Sequence, residues 1–161
     1  MNDLRSLVDD PTILDDEIIF RIIPPRVVKS WDPPIMSSNA FGDQTIEIAN
    51  GYGLADRCAS VALESVWSES SGKIEELLRN HDSKSGVAQM TAGDLRDLHT
   101  GNGETPRPQG IMRDPQPDAP WHAVVFDLTS IPRSSGAKNS MRAIATWFHE
   151  PTKQPEAAEP E

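Results

Sequence analysis

The most apolar run in the chain, Ala123-Val124-Val125-Phe126, follows directly on His122. It is reached through the loop Asp114-Pro115-Gln116-Pro117-Asp118-Ala119-Pro120-Trp121, which holds three prolines. Each proline fixes φ near about −65° and biases the residue before it to an extended shape, so the loop is stiff. It sets His122 at the head of a strand predicted over residues 122–128. Residues 17–23 are rich in β-branched side chains and stop at Pro24-Pro25, which predicts a second strand. Val27-Val28-Lys29 reads as a short extension before a turn at Trp31-Asp32-Pro33-Pro34, and residues 36–41 read as a loop. Thr45, Ile46, Glu47 and Ile48 alternate in polarity, the mark of a half-buried strand over 44–48.

Other positions recur with a longer period. Leu54, Cys58, Val61, Ala62, Ser65 and Val66 share one face at 3.6-residue spacing, which predicts a helix over 54–67. Ile74, Leu77 and Leu78 predict a shorter helix over 73–79, preceded by Ser70-Ser71-Gly72 as capping residues. Residues 86–90 read as a strand, and Thr91 with Asp94 forms a variant capping box that opens a helix carrying Leu95 and Leu98. Residues 100–108 are a surface loop and 109–112 a short edge strand. Met141, Ile144, Ala145 and Phe148 form a stripe that predicts a closing helix over 138–149, with Trp147 near its edge. The class expected is α/β of the α+β type: a small mixed or mostly antiparallel sheet with helices packed on one face. Residues 17–149 make a single domain, 1–16 a loosely ordered acidic N-terminus, and 150–161 a disordered acidic, proline-rich tail.

Charge changes this picture only at the ends. Of the formal −10, half falls within residues 1–20, with six acids and one base, while residues 150–161 add four acids and one lysine. The body between is nearly neutral. An acidic total suits a phosphate backbone poorly, which argues against nucleic acid, although Arg107, Arg113, Arg133, Lys138 and Arg142 could form a local basic patch. No apolar run approaches the roughly 18 residues of a membrane span, and the single cysteine, Cys58, cannot form an internal bridge. A soluble, cytoplasmic protein is expected.

Four histidines without metal-ligand spacing and one isolated cysteine predict no metal site, and no cofactor motif is present. The candidate site is therefore built from scattered residues. Arg21 supplies a planar guanidinium suited to phosphate or carboxylate, Ser37 and Ser38 supply hydroxyls, and His122 moves protons near neutral pH. A Ser38, His122, Asp118 triad can be drawn, but there is no G-x-S-x-G elbow to support it. The ordinary alternative is that Arg21 pairs with an acid at a strand edge, the serines satisfy turn amides and His122 caps the sheet. Trp31 and Trp121 sit in proline-rich loops, where an indole is either a lid on the core or an anchor for a partner.

Arg21-Ile22-Ile23-Pro24, Ser37-Ser38-Asn39-Ala40-Phe41, Gly86-Val87-Ala88 with Leu95-Arg96, and Asp114-Pro115 through His122-Ala123-Val124-Val125 carry a resemblance. Their order is similar to that in a group of small uncharacterised bacterial proteins with the pattern R-[RI]-[IV]-x-P, then R-P-S-S-x-A-F, then P-A-H-A-x-V. Ile35 and Met36 stand where the pattern has Arg and Pro, and Trp121 replaces its small residue before the histidine. The resemblance implies bacterial origin and one compact domain, and no reaction.

Two functions follow as expectations. The first is a small binding or accessory module, defence- or toxin-related, that engages a protein partner or its own copy through the face carrying Trp31, Trp121 and the proline loops. The second is a small enzyme or sensor for a nucleotide or phosphorylated small molecule, with Arg21 as anion clamp, Ser38 as donor or nucleophile and His122 as acid and base. Ser37, Trp31, Trp121 and Asp118 are the candidate binding residues.

Overall fold

The computed structural model describes residues 7–41, 44–48, 53–98, 107–128 and 135–153. Its strands are β1 (Ile18–Ile23), β2 (Val28–Ser30), β3 (Ile35–Met36), β4 (Gln44–Ile48), β5 (Gly53–Leu63), β6 (Gly86–Thr91), β7 (Gln109–Arg113), β8 (His122–Asp127) and β9 (Thr146–His149). Helices α1 (Glu64–Ser70), α2 (Ile74–Leu77), α3 (Ala92–Arg96) and α4 (Ser135–Ile144) join them, with 3-10 turns at Pro25–Val27 and Ser38–Phe41. The main sheet runs β7-β8-β5-β1-β6-β9, with β4 also paired to β5, and every pairing is antiparallel. The α+β class and mostly antiparallel sheet expected from the sequence are what the chain adopts.

Alternation along the strands separates two packing layers. Ile19, Val61, Leu63, Ala88, Ile111, Ala123 and Val125 bury one face of the sheet with Leu95 of α3 and Met141 of α4. Their neighbours Phe20, Ala62 and Val87 point the other way, onto Trp67 of α1, Leu77 of α2 and Trp121. A sheet covered on both sides has central strands with no polar alternation, and this is why β5 was misread. The helix expected over 54–67 is instead an eleven-residue strand to Leu63 followed by the short α1.

The closing helix is likewise shorter than its stripe suggests. α4 stops at Ile144, and Thr146–His149 pairs with the edge of β6 in the register Ala88↔Trp147. Phe148 thereby stacks on Phe20 at 4.5 Å and meets Trp67 edge-on at 5.8 Å, so the aromatic pair serves a strand and not a helix. The Thr91 cap is as expected, its hydroxyl accepting from Asp94 N–H at 3.2 Å.

The segment before β1 is held more firmly than its acidic composition suggests. Ile13 is only 1 % exposed in the core. Asp10 N–H donates to the Ile111 carbonyl at 2.9 Å, and the Asp9 carboxylate accepts from Ile111 N–H at 2.9 Å, so this segment covers the outer edge of β7. Arg96 fastens it, donating to Asp9 at 3.1 Å, Asp15 at 2.9 Å and the Asp10 carbonyl at 2.9 Å. An edge satisfied in this way offers no template for another chain. At the other end Pro151 is buried and Thr152 N–H donates to Lys84, so the domain extends to this point. Residues 154–161 of the expected tail lie outside the described residues.

Candidate functional site

The proline loop is a hairpin between β7 and β8. Gln116 and Ala119 bond reciprocally at 3.1 and 3.0 Å, and His122 N–H donates back to the Ala119 carbonyl at 3.0 Å. The pair Arg113↔Ala123 sets the register, so Asp114 and His122 stand opposite each other where the hairpin begins. Asp114 N–H donates to the His122 carbonyl at 2.9 Å, and His122 Nδ1 lies 3.0 Å from Asp114 Oδ2 and 3.1 Å from its carbonyl oxygen. The Asp114 side chain is 1 % exposed and also receives Gln116 Nε2 at 3.5 Å.

Acceptors alone face Nδ1, so Nδ1 carries a proton, and in the neutral imidazole Nε2 is then the acceptor. The group facing Nε2 is the hydroxyl of Ser60 on β5, in hydrogen-bond contact. The sheet register explains this meeting, because Ala62 of β5 lies opposite His122, and Ser60, two residues earlier, presents its side chain on the same face. Ser60, His122 and Asp114 thus form a continuous hydroxyl–imidazole–carboxylate chain, with the imidazole only 14 % exposed. In this geometry a histidine can take up a serine proton and a carboxylate can stabilise the resulting imidazolium.

Arg21 joins at the same residue. Its Nη1 donates to the Ser60 carbonyl at 2.6 Å and its Nε to the Ala40 carbonyl at 3.1 Å. Arg21, Ser60 and His122 all line one cleft of about 810 Å³, with Trp121, Arg26 and His81 on its walls. His81 is pulled below its ordinary pKa of 6.5, first by partial desolvation at the cleft and then by the charge of Arg21. At the rim, Arg79 pairs with Glu76, and Asp118 accepts from Asn80 at 2.6 Å. That bond, followed by Asp118's own backbone amide, holds the Asp118 carboxyl below the usual carboxylate value.

The structure therefore brings together Arg21 and His122, as the sequence suggested, but through Ser60, which was not named. Ser38 begins the 3-10 turn beside the cleft, and its side chain lies outside the described residues. Ser37 is a turn residue, its Oγ accepting Asn39 N–H at 3.2 Å. Asp118 is exposed in the hairpin loop, so the carboxylate that meets His122 is that of Asp114. Trp121 is 6 % exposed and forms a wall of the cleft, while Trp31 is half-buried in its turn. The expected exposed pair of indoles is absent, because packing against Phe20, Ala62 and Leu77 claims the Trp121 ring.

The missed residues had different visibility. Asp114 opens the proline loop that His122 closes, so hairpin symmetry pointed to it in place of Asp118. Ser60 was hidden by the helical reading of its segment. Among the described residues no group of three His, Cys, Asp or Glu side chains converges as metal ligands, and no helix is long and apolar enough to cross a membrane. Compared with family models, curated proteins and solved structures, the chain matches none.

Proposed function

We propose that the protein is a small enzyme that uses Ser60 as a nucleophile on a nucleotide or other phosphorylated ligand bound in the cleft. The observation that carries this reading is the Ser60–His122–Asp114 chain, with both ring nitrogens of His122 engaged and the acid buried. As Ser60 Oγ forms its bond to the electrophilic atom, its proton passes to His122 Nε2. The bond to the leaving oxygen breaks, and that oxygen takes the proton from Nε2 as it departs. Water then repeats the sequence in reverse: its proton goes to Nε2, its oxygen bonds the transferred group, and Oγ leaves with the proton returned. Asp114 keeps Nδ1–H in place throughout.

The cleft also supports a charged ligand. Two arginines, Arg21 and Arg26, line it together with Ser60 and His122. A role as a binding or accessory module rests on less, because Trp121, the anchor assigned to it, is turned into the core.

The test is covalent. A fluorophosphonate should modify the protein once, at Ser60 by peptide mass spectrometry, and labelling should vanish in Ser60→Ala and fall steeply in His122→Ala. Modification at scattered serines, insensitive to His122→Ala, would falsify the reading. A thermal-shift screen with nucleotides and phosphometabolites then finds the ligand, since binding to the native state alone raises the midpoint.

A further inference from the structure

The cleft extends well beyond its reacting end. Ser60 lies on β5 and Ser85 immediately before β6, both line the cleft, and β1 runs between the two strands. Two inter-strand spacings, at least about 10 Å, therefore separate these serines. A phosphate seated at Ser60 and His122 cannot reach Ser85, so that end belongs to whatever the phosphate carries. Ile22, on the intervening β1, and Leu77 of α2 give the cleft apolar wall. At about 810 Å³ the space suits a ligand larger than a lone phosphate.

Ser85 is the polar group at that end. Its N–H donates to the Asp82 carbonyl at 2.9 Å, which closes the turn before β6, and the residue is fully buried. Its hydroxyl, in contrast, has no hydrogen-bond partner among the described residues. A buried hydroxyl left unpaired costs stability, and a ligand atom that bonds it recovers that cost. We propose that the Ser85 end of the cleft is a subsite for the uncharged hydrogen-bonding edge of a heterocyclic base, which makes the ligand a nucleoside phosphate. The proposal takes the phosphate position from the Ser60 reading. A hydroxyl both donates and accepts, as the polar edge of a base requires. The flat faces of a base suit the wall at Ile22 and Leu77, whereas a sugar in that place would lose water from its hydroxyls without replacement. His81, just before the turn, lines the same cleft. Partial desolvation and the charge of Arg21 hold it below 6.5, so at neutral pH it offers an uncharged donor and acceptor beside the base.

The experiment is titration calorimetry on the full chain with AMP, GMP, CMP and UMP, set against ribose 5-phosphate. At least one nucleotide should bind the wild type at least about 10-fold more tightly than ribose 5-phosphate, from the base surface buried on the apolar wall. Ser85→Ala should cut that margin on the order of 5-fold, the worth of one neutral hydrogen bond, and leave the Kd of ribose 5-phosphate unchanged. Because the hydroxyl is unpaired, its removal should not lower the thermal midpoint of the free protein. Four nucleotides that bind no better than ribose 5-phosphate overturn the proposal on the wild type alone, without any variant. A margin that Ser85→Ala leaves intact, or an equal loss for ribose 5-phosphate, overturns it as well. The Ser60 reading fails separately: a nucleotide margin that depends on Ser85, in a protein whose Ser60 resists fluorophosphonate, removes the nucleophile and keeps the subsite.

Discussion

Asp114→Asn isolates the contribution of the buried acid. The substitution preserves shape but removes a charge whose oxygen lies 3.0 Å from His122 Nδ1. With charge centres about 4 Å apart and an effective dielectric of about 20, the imidazolium formed during attack loses about 4 kcal/mol of stabilisation. That corresponds to a rate loss on the order of 10³. The tautomer itself persists, because the Asp114 backbone carbonyl still accepts Nδ1–H at 3.1 Å, so the loss should stay below the roughly 10⁴ seen where the tautomer is wrong. The assay is the rate of fluorophosphonate labelling at Ser60 at pH 7.5, with circular dichroism confirming the fold. Labelling of the folded variant within threefold of wild type would mean that Asp114 is only a structural partner of the hairpin.

Further outcomes follow from the packing. Arg96→Met removes a guanidinium that is 6 % exposed and holds Asp9, Asp15 and the Asp10 carbonyl. Both carboxylates rehydrate, so the cost should be about 2–3 kcal/mol, lower than for a fully buried pair. A calorimetric midpoint lower by roughly 5–10 °C checks it. Hydrogen bonds from Arg107 and Arg96 hold the Asp15 carboxyl below 3.8, and at Asp10 the upward push of burial is outweighed by hydrogen bonds from Thr12 and the charges of Arg113 and Arg96. Folded-state values below the unfolded one give stability that is present above pH 3.8 and lost as pH falls further, so the midpoint should fall there. His81 adds a shallower slope between pH 6.5 and its lowered value, where the unfolded chain takes a proton that the folded chain resists; His81→Gln should flatten it in melts from pH 5 to 7. In Gly86→Ala the new Cβ would stand 2.6 Å from Trp147 Cζ3 and 2.8 Å from Pro151 Cδ, so β9 must shift. A cost of about 1–3 kcal/mol and faster amide exchange at Trp147 are expected.

Where the chain's patterns are local, they were readable. β1 ends at Pro24, the Thr91 hydroxyl caps α3, and the proline loop delivers His122 to β8, each set by residues adjacent in sequence. The errors fell where a distant partner overrode a local period. Residues 58–63 are buried on both faces apart from Ser60, so a central strand imitates a helix, and Phe148 leaves the stripe of α4 because the β6 edge offers a ladder.

The sequence by itself determined that a stiff proline loop delivers His122 to the head of β8, since proline stiffness and strand pattern act over a few residues. Only the tertiary structure decided that Ser60 completes the chain and that Arg21 reaches its carbonyl. Serine 60 lies 62 residues from His122 and 39 from Arg21, and what joins them is the order and register of strands. Register is set by burying the whole sheet at once, and no local window of residues encodes it.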